Sequence, residues 1–216
     1  MIKSDLMTKM IEKFKIALME IENLKIQKSY SEAIDVIDAT LSDIFRLNLK
    51  SFNSLQDEYL LEIIRVKDLI DAERYIIISV LLQKEAEICD IKGDFSECHL
   101  FFTKALNMRL EAFTINDEAE LSGFYSQIPT LIDKVNDYEF SEVTILRLFK
   151  YYEEIGNYGK SEDNLYELLK VRNKDIATVN LGISFYERLL KKDSATLEKG
   201  GLPRDEVEEG LKQLQS

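Results

Sequence analysis

Two cysteines and one histidine lie close together in the sequence and could bind a metal ion or act in nucleophilic chemistry. Cys89 precedes the stretch KGDFSECHLFFTKAL (92–106), which contains Cys98 and the only histidine, His99. Structural zinc sites use ligand pairs at short spacing, such as Cys-x-x-Cys. Di-iron bundles use Glu-x-x-His, whereas the residue three positions before His99 is Ser96. We therefore predict no metal site and interpret both thiols as space-filling side chains within a helix pair.

Other signatures of catalysis are missing from the sequence. The adjacent glycines Gly200 and Gly201 do not form a phosphate-binding loop, because no lysine follows at the required position. A single histidine without a nucleophile partner does not make a hydrolytic triad. Paired carboxylates such as Glu153 and Glu154 are typical of solvated helix faces in an acidic protein. The sequence therefore predicts a protein that is not an enzyme and needs no cofactor.

The elements that hold these residues are predicted to be helices. Of the 216 residues, 45% are hydrophobic and 31% are charged, which is typical of a globular protein. The chain has only two prolines and eight glycines, and β-proteins need turn residues more often than that. The composition therefore favours an all-α fold.

The charge of the chain limits the partners that it could bind. The formal net charge is −12, and residues 51–150 hold 19 acidic but only 10 basic residues. This middle region would repel nucleic-acid phosphates and anionic membranes, so we predict neither as a partner. The expected partner is a basic or amphipathic protein or peptide.

The sequence shows no feature of export or membrane insertion. The N-terminal stretch MIKSDLMTKMIEKF mixes charged and apolar residues, unlike a signal peptide. The longest apolar run, YIIISVLL (75–82), is much shorter than the roughly 18 residues that span a bilayer. Two cysteines are too few for a disulfide scaffold. We therefore expect a cytoplasmic protein with reduced thiols.

Three segments share one pattern: KSYSEAIDVIDATL (28–41), GDFSECHLFFTKAL (93–106) and GNYGKSEDNLYELL (156–169). Each contains a turn, an aromatic residue, a small residue three positions later and an apolar residue four positions after that. Residues three and four apart share one helix face, so the small residue permits close approach of a second helix. The aligned positions are Tyr30, Phe95 and Tyr158, then Ala33, Cys98 and Ser161, then Ile37, Phe102 and Leu165.

Each of these segments is predicted to be the second helix of a hairpin. We predict a capping box for Ser29 with Glu32, a similar pair for Asp94 with Glu97, and a cap at Asn157. A helical pattern lies upstream of each turn and would face the second helix. Its residues are Ala17, Ile21 and Leu24, then Leu82, Ala86 and Cys89, then Ile145, Phe149 and Tyr152.

Further helices are predicted between and after the hairpins. They are a short helix near 55–66, a long one over 71–91, one over 116–135 broken or kinked at Pro129, one over 175–192 with Asp175 as cap, and a last one with Pro203 in its first turn, followed by Asp205 and Glu206. Gly200 and Gly201 are expected to end the helix that begins at Asp175.

The hairpins resemble the tetratricopeptide repeat, and Ala86, Cys98, Phe102 and Ala105 match its pattern best. The turns at 28, 93 and 156 are separated by close to twice that repeat's length of roughly 34 residues. The layout of the chain, including YYEEIGNYGKSEDNLYELL and EKGGLPRDEVEEGLKQL, resembles an uncharacterised bacterial family of tetratricopeptide-like proteins, a domain of unknown function. The resemblance implies one all-α domain over residues 1–216. It would be a superhelix of about ten helices with irregular helices between three hairpins.

The resemblance also implies a candidate binding surface. Stacked hairpins form an extended concave face that is lined by their first helices and can hold a peptide. The candidate residues on that face are Gln83, Glu87, Asp90, Lys150, Glu153 and Glu154. A mostly acidic face would favour a basic or amphipathic segment. The alternative is that these residues are merely solvated and that irregular helices fill the groove.

A second apolar stripe on the first helix is a candidate dimer face. Met7, Ile11 and Leu18 are spaced by four and seven residues, beside the stripe that faces the hairpin. Either a later helix of the same chain covers them or a second subunit does, which would give a symmetric homodimer.

The expected function is that of a cytoplasmic helical scaffold or adaptor that binds a protein or peptide without doing chemistry. The alternative is a sensor of a small molecule or a peptide signal, with a cavity between the irregular helices.

Overall fold

A computed structural model describes residues 2–64, 71–115 and 118–215, and these residues are overwhelmingly helical. They contain no β-strand, so the predicted all-α class is confirmed for them. Their twelve α-helices exceed the predicted number of about ten. The backbone divides into two compact units, Met1–Tyr138 and Glu139–Ser216. The expectation of one domain over residues 1–216 stays a prediction.

In the first unit two short helices separate two long helical hairpins, and a 3₁₀ turn and one more helix follow. Its elements are α1 (Ile2–Ile26), α2 (Tyr30–Phe45), α3 (Leu49–Ser54), α4 (Asp57–Ile64), α5 (Ala72–Lys92), α6 (Phe95–Ile115), a 3₁₀ turn (Ser122–Gln127) and α7 (Ile128–Val135). The predicted helices near 55–66 and 71–91 correspond to α4 and α5. The helix predicted over 116–135 to be broken or kinked at Pro129 is broken next to it, because the 3₁₀ turn ends at Gln127 and α7 begins at Ile128; residues 116 and 117 lie outside the described residues. Pro129 itself causes no kink. It lies in the first turn of α7. Amide N–H groups in a first turn have no intrahelical acceptor, so the missing N–H of proline costs no hydrogen bond there.

The second unit contains five further helices. They are α8 (Glu142–Glu154), α9 (Tyr158–Val171), α10 (Ile176–Leu189), α11 (Ser194–Lys199) and α12 (Arg204–Gln215). Asp175 caps α10 as predicted, but α10 ends at Leu189 rather than at 192, and Asp193 caps the separate helix α11. Gly200 and Gly201 therefore end α11, not the helix that begins after Asp175. Pro203 directly precedes α12, whose first turn carries Asp205 and Glu206 as predicted.

All three predicted hairpins use the same turn. Lys28, Gly93 and Gly156 adopt the left-handed conformation, with φ of 61°, 80° and 76°. The next amide then donates to the carbonyl oxygen five residues earlier, which defines a Schellman motif. These bonds join Ser29 N to Leu24 O at 2.9 Å, Asp94 N to Cys89 O at 3.1 Å and Asn157 N to Tyr152 O at 2.8 Å. The predicted turn positions 28, 93 and 156 are therefore confirmed.

The residue that completes each turn also begins the next helix. Asn157 caps α9, because its Oδ1 accepts a hydrogen bond from the amide three residues later at 3.3 Å. Asp94 caps in the same way at 3.4 Å, but the Glu97 carboxylate faces Cys89 instead of returning to Asp94. Ser29 makes no side-chain cap bond in the described structure, so its predicted capping box is wrong. Its backbone resembles that of Asn157, but its side chain is one bond shorter.

Helix α5 is the centre of the first unit. Residues 75–83 are buried without exception, and a helix that is buried all round must be enclosed by other elements. It packs most extensively against α6 and also contacts α1, α2 and the 3₁₀ turn. The residues predicted to face each other across this hairpin, Leu82, Ala86, Cys89, Cys98, Phe102 and Ala105, are all buried. Burying one large aliphatic side chain contributes about 1.5–3 kcal/mol.

The α1/α2 hairpin packs with one side toward α5. Ala17 and Ile21 of α1 and Ala33 and Ile37 of α2 are buried as predicted. Both helices contact α5. The α1 side chain Phe14 also meets Phe124 of the 3₁₀ turn edge-to-face, with ring centroids 6.0 Å apart.

Glycines permit close packing in the second unit. Helix α8 packs on α9, and α10 packs on α12. A Cβ at Gly182 of α10 would lie 2.4 Å from a methyl of Leu214, and one at Gly210 of α12 would lie 2.3 Å from the Tyr186 ring. The small residue Ser161 has the predicted role in the α8/α9 hairpin, where its hydroxyl donates to the Phe149 carbonyl at 2.9 Å.

The aromatic position of the repeated pattern does not have one structural role. Tyr158 is buried, and it packs so closely on Gly200 that a Cβ there would lie 2.2 Å from its ring. Tyr30 is half-buried, and Phe95 is 66% exposed. The aromatic residue of the pattern is therefore buried at Tyr158 but exposed at Phe95.

Replacing Lys28 by glycine should stabilise the protein. A side chain disfavours the left-handed conformation, so we expect Lys28→Gly to raise the free energy of unfolding by about 0.5–1 kcal/mol. Gly93→Ala should lower it by about 1 kcal/mol or more, through backbone strain, since no described atom lies within 4 Å of the added Cβ. Urea unfolding followed by circular dichroism measures both changes.

The matched control for Lys28→Gly is Gln27→Gly, one residue earlier. Gln27 is exposed and is not among the described residues with positive φ, so glycine there should destabilise the protein. If both substitutions changed stability in the same direction, the left-handed strain at Lys28 would not be the cause.

Candidate functional site

Gln83, a predicted concave-face residue, lies inside the first unit. It is 7% exposed, and its Oε1 accepts a hydrogen bond from Arg109 Nη2 at 3.0 Å. Its Nε2 donates to Glu87 Oε1 at 3.0 Å. A buried amide that is bonded at both ends is not available to a partner. The predicted placement of Gln83 on an open face is therefore wrong, because α5 is enclosed on the side that carries it.

Arg109 explains why Gln83 is buried. The guanidinium is fully buried, and its described hydrogen bonds go to neutral oxygens. Nε donates to Ser79 Oγ at 2.9 Å, and Nη1 donates to the Phe124 carbonyl at 2.9 Å. Burial lowers the pKa of Arg109 to about 9, so the side chain is still charged at neutral pH. Its charge-assisted hydrogen bonds tie α5, α6 and the 3₁₀ turn together.

Glu87, the second predicted residue, is neutralised within the chain. It forms ion pairs with Lys25 of α1 and, at 3.1 Å, with Lys84 of α5. Lys84 also pairs with Glu22 of α1 at 2.6 Å. Burial alone would raise the pKa of Glu87, but the hydrogen bond from Lys25 and the charge of Lys84 hold it below its usual value. Two lysines and two glutamates therefore balance each other across α1 and α5.

The other predicted residues on the concave face divide between the two units. Asp90 of the first unit pairs with Lys134 at 2.8 Å, so each of the two predicted acids on α5 has a lysine partner. Lys150 and Glu154 of the second unit are exposed. Glu153 accepts two hydrogen bonds, at 2.7 and 2.8 Å, from the guanidinium of Arg188. The charges of Glu87 and Asp90, which favoured a basic partner, are therefore balanced by lysines of the chain itself.

The predicted dimer stripe is largely covered by the chain itself. Ile11 is 3% exposed, and Met7 and Leu18 are half-buried. Of the two predicted alternatives, coverage by the same chain is therefore the one that applies to Ile11. A homodimer stays a prediction.

The two thiols and the histidine pack inside the α5/α6 hairpin and at its edge. Cys89 and Cys98 are free and buried, and burial raises the pKa of Cys89 to about 12 and that of Cys98 above its usual value. Protonated thiols are poor nucleophiles and poor metal ligands. His99 is half-buried and stacks on Tyr138 with ring centroids 3.6 Å apart. Within the described ranges no three His, Cys, Asp or Glu side chains are grouped to hold a metal ion.

Glu85 is a buried acid that sequence reasoning missed. It is 5% exposed, and its Oε1 lies 3.7 Å from Cys89 Sγ. Its Oε2 has no hydrogen-bond partner in the described part of the chain. Burial raises the pKa of Glu85 to about 7; the charges of Glu97 and Asp38 act in the same direction, and Lys92 opposes them. Acids on helices are ordinarily exposed, so the sequence carried no signal for this one.

Replacing Glu85 by glutamine should change how stability depends on pH. The carboxyl has a usual pKa of 4.5 and a pKa of about 7 in the fold, so wild-type stability falls as pH rises from about 4.5 to 7. We expect Glu85→Gln to match wild type at pH 5 and to exceed it by about 1–2 kcal/mol at pH 8. Urea unfolding at pH 5, 6, 7 and 8 measures the difference.

The control for this prediction is Glu208→Gln on the exposed face of α12. It should leave the pH dependence of stability unchanged. A difference between Glu85→Gln and wild type that stayed constant from pH 5 to 8 would contradict a raised pKa at Glu85.

The outer side of the α1/α2 hairpin forms a mostly apolar groove, which we call the α1/α2 groove. It has a volume of about 380 Å³ and is lined mainly by Ile16, Ala17, Val36, Ala39, Thr40 and Ile44. Ile16 is 62% exposed, and Ala39 is exposed as well. Small residues on both helices leave room between the larger ones. The groove can therefore accept apolar side chains from another molecule.

A second cleft shares Lys13, Asp43 and Ile44 with the α1/α2 groove. It has a volume of about 290 Å³, and we call it the basic cleft. Its polar lining is Lys9, Lys13, Arg46, Arg74 and Asp43, and its apolar lining is Leu6, Met10 and Ile44. Lys13 and Asp43 form an ion pair of 2.5 Å, which also lowers the pKa of Asp43. The lining therefore holds four cations and one carboxylate.

Neither the α1/α2 groove nor the basic cleft was found from the sequence. A usable signal was present in α1, which carries Leu6 and Ile16 outside the stripe that faces the hairpin, and both are exposed. The basic residues come from α1, from the end of α2 and from the start of α5. Their convergence depends on how the helices pack, which no local pattern shows.

No helix within the described ranges has the length and apolarity needed to cross a bilayer. Neither a curated protein nor a solved structure matches the sequence. Over residues 1–216 the sequence matches a family of unknown function (DUF6483), so the predicted resemblance to such a family is confirmed. The chain belongs to this family of unknown function.

Proposed function

We propose that this protein is a non-enzymatic helical scaffold that binds an amphipathic helix of a protein partner in the α1/α2 groove. The main support for this proposal is the apolar outer face of this first hairpin, where Ile16 is 62% exposed. Helix faces that meet solvent ordinarily carry polar side chains. An exposed apolar patch rimmed by polar residues is typical of a binding surface.

The dimensions of the surface suit a short helix. From Leu6 to Glu20 the basic cleft and the α1/α2 groove follow α1 over about 20 Å, at a rise of about 1.5 Å per residue. A partner helix of three to four turns covers that length. Its apolar residues at spacings of three, four and seven would contact Ile16, Val36 and Ile44.

The proposal includes a tetratricopeptide-like stacking of the α1/α2 and α5/α6 hairpins. Helix α5 contacts both α1 and α2, as a first helix does with the preceding hairpin in such repeats. Lys15 pairs with Glu120, whose amide binds the Glu73 carboxylate near the start of α5. Glu22, further along α1, pairs with Lys84, further along α5. These contacts support α1 and α5 running in the same direction, as stacked first helices do.

The concave face and the sensor alternative have less support. Gln83 is buried, and Glu87 and Asp90 are paired with lysines. The α1/α2 groove and the basic cleft are open to solvent, whereas a small-molecule sensor ordinarily encloses its ligand. A cytoplasmic location belongs to the same proposal and is supported by the free thiols of Cys89 and Cys98.

A designed peptide tests the proposed function. The probe is a fluorescein-labelled 18-residue helix with leucines at spacings of three, four and seven and glutamine at its other exposed positions. We expect the wild-type protein to bind it in fluorescence anisotropy with a Kd on the order of 10–100 μM. Ala39→Arg places a long charged side chain in the α1/α2 groove and should weaken binding about tenfold or more.

The controls vary the site and the pattern of the probe. Ala177→Arg makes the same change at an exposed alanine of α10 and should leave binding unchanged. A scrambled peptide of equal composition lacks the apolar stripe and should bind far more weakly. Equal binding of both peptides, or undiminished binding to the Ala39→Arg variant, would refute the proposal.

A further inference from the structure

We infer that the basic cleft binds carboxylates of the partner helix, so that the partner is an acidic amphipathic helix rather than a basic one. The inference rests on the proposed function, because a helix lying in the α1/α2 groove reaches the cleft past the shared residues Lys13 and Asp43. Aspartate or glutamate residues of that helix would lie near Arg46.

Part of the positive charge of the basic cleft is not neutralised by ion pairs among the described residues. Asp43 is the carboxylate in its lining, and it is already paired with Lys13 at 2.5 Å. Lys9 and Arg46 are exposed, and neither has a side-chain hydrogen bond or an ion pair among the described residues. Lys9 is therefore available to an incoming carboxylate, and so is Arg46, whose charge acts on Asp43 without an ion pair between them.

Arg74 supplies a positioned guanidinium at the same cleft. Its side chain is half-buried and lies over the Phe45 ring, 5.2 Å from the centroid. Its Nε is buried and lacks a hydrogen-bond partner in the described structure. Asp71 lies near Arg74, and burial together with the hydrogen bond to Glu73 raises the pKa of the Asp71 carboxyl. An arginine fixed on an aromatic ring is suited to bind a carboxylate.

The charges at the two ends of the surface differ. Lys9, Arg46 and Arg74 lie in the cleft, whereas Glu20 lines the far part of the α1/α2 groove. A partner with acidic residues at one end and a neutral or basic residue at the other would match both. Complementary charge of this kind sets orientation and discriminates among partners more than it raises total affinity.

Three peptides with the same leucine pattern test the inference. They carry glutamate, glutamine or lysine at four exposed positions of one end, and anisotropy measures their binding to the full chain. We expect the glutamate peptide to bind wild type about tenfold more tightly than the glutamine peptide in 50 mM salt. In 500 mM salt the advantage should shrink to about twofold, because salt screens exposed charges.

A double variant assigns the effect to the cleft. Lys9→Gln combined with Arg46→Gln should weaken binding of the glutamate peptide about tenfold and leave the glutamine peptide unaffected. The matched control is Lys28→Gln combined with Lys191→Gln, which removes the same charge at other exposed positions. Lys28 and Arg46 share a left-handed φ of 61°, so the two pairs also strain the backbone alike. The control should bind all three peptides as wild type does.

The outcomes separate this inference from the proposed function. If all three peptides bind equally and Ala39→Arg still weakens them, the groove binds a helix but the charge inference is wrong. Tighter binding of the lysine peptide, or an equal loss of the glutamate peptide in the control variant, also overturns the inference. If no peptide binds wild type, the proposed function fails and the inference fails with it.

Discussion

The enclosure of α5 determines the arrangement of the first unit. Residues 75–83 are buried on every face of the helix, so other elements must cover each side of it. Helix α6 covers one side, and the α1/α2 hairpin and the 3₁₀ turn cover others. The α1/α2 hairpin turns one side to α5. Its other side carries exposed Ile16 and Ala39, which line the proposed binding groove.

The buried charge of Arg109 restricts how the elements around α5 can pack. A buried guanidinium needs acceptors on every side, because an unpaired buried charge costs several kcal/mol. Ser79 and Gln83 of α5 and the Phe124 carbonyl supply them, so the α5/α6 hairpin and the 3₁₀ turn can dock in one arrangement. Phe124 also packs on Phe14, which connects this arrangement to α1. The placement of α1, and with it the outer groove, therefore depends on contacts made deep in the unit.

Features set by local sequence were predicted well. The turns at 28, 93 and 156 and the apolar stripes beside them follow from residues a few positions apart, and each is present. The prediction of a capping box at Ser29 was wrong. The serine side chain is one bond shorter than that of Asn157, and it makes no cap hydrogen bond. The helix predicted over 175–192 ended early because Asp193 caps a new helix within the same apolar pattern.

Features set by packing were not predicted. Gln83 was placed on an open face because its position in a repeat suggested it, but Arg109, 26 residues away, draws it inside. Glu87 was expected to attract a basic partner, but Lys25, 62 residues earlier, already neutralises it. The basic cleft combines three helices, so its residues could not be grouped from spacing alone. The sequence placed the candidate site on the face shared by the first helices. The structure favours the outer side of the α1/α2 hairpin instead.

The most direct test of the proposed binding surface is methyl NMR of the full chain. Alanine and isoleucine methyl groups are labelled, and the acidic amphipathic peptide is titrated in. We expect chemical-shift changes concentrated at Ala17, Ala39, Ile16 and Ile44, with Ala177 unchanged. Changes concentrated on other surfaces, with Ala39 and Ile16 unaffected at saturation, would contradict the proposed binding surface.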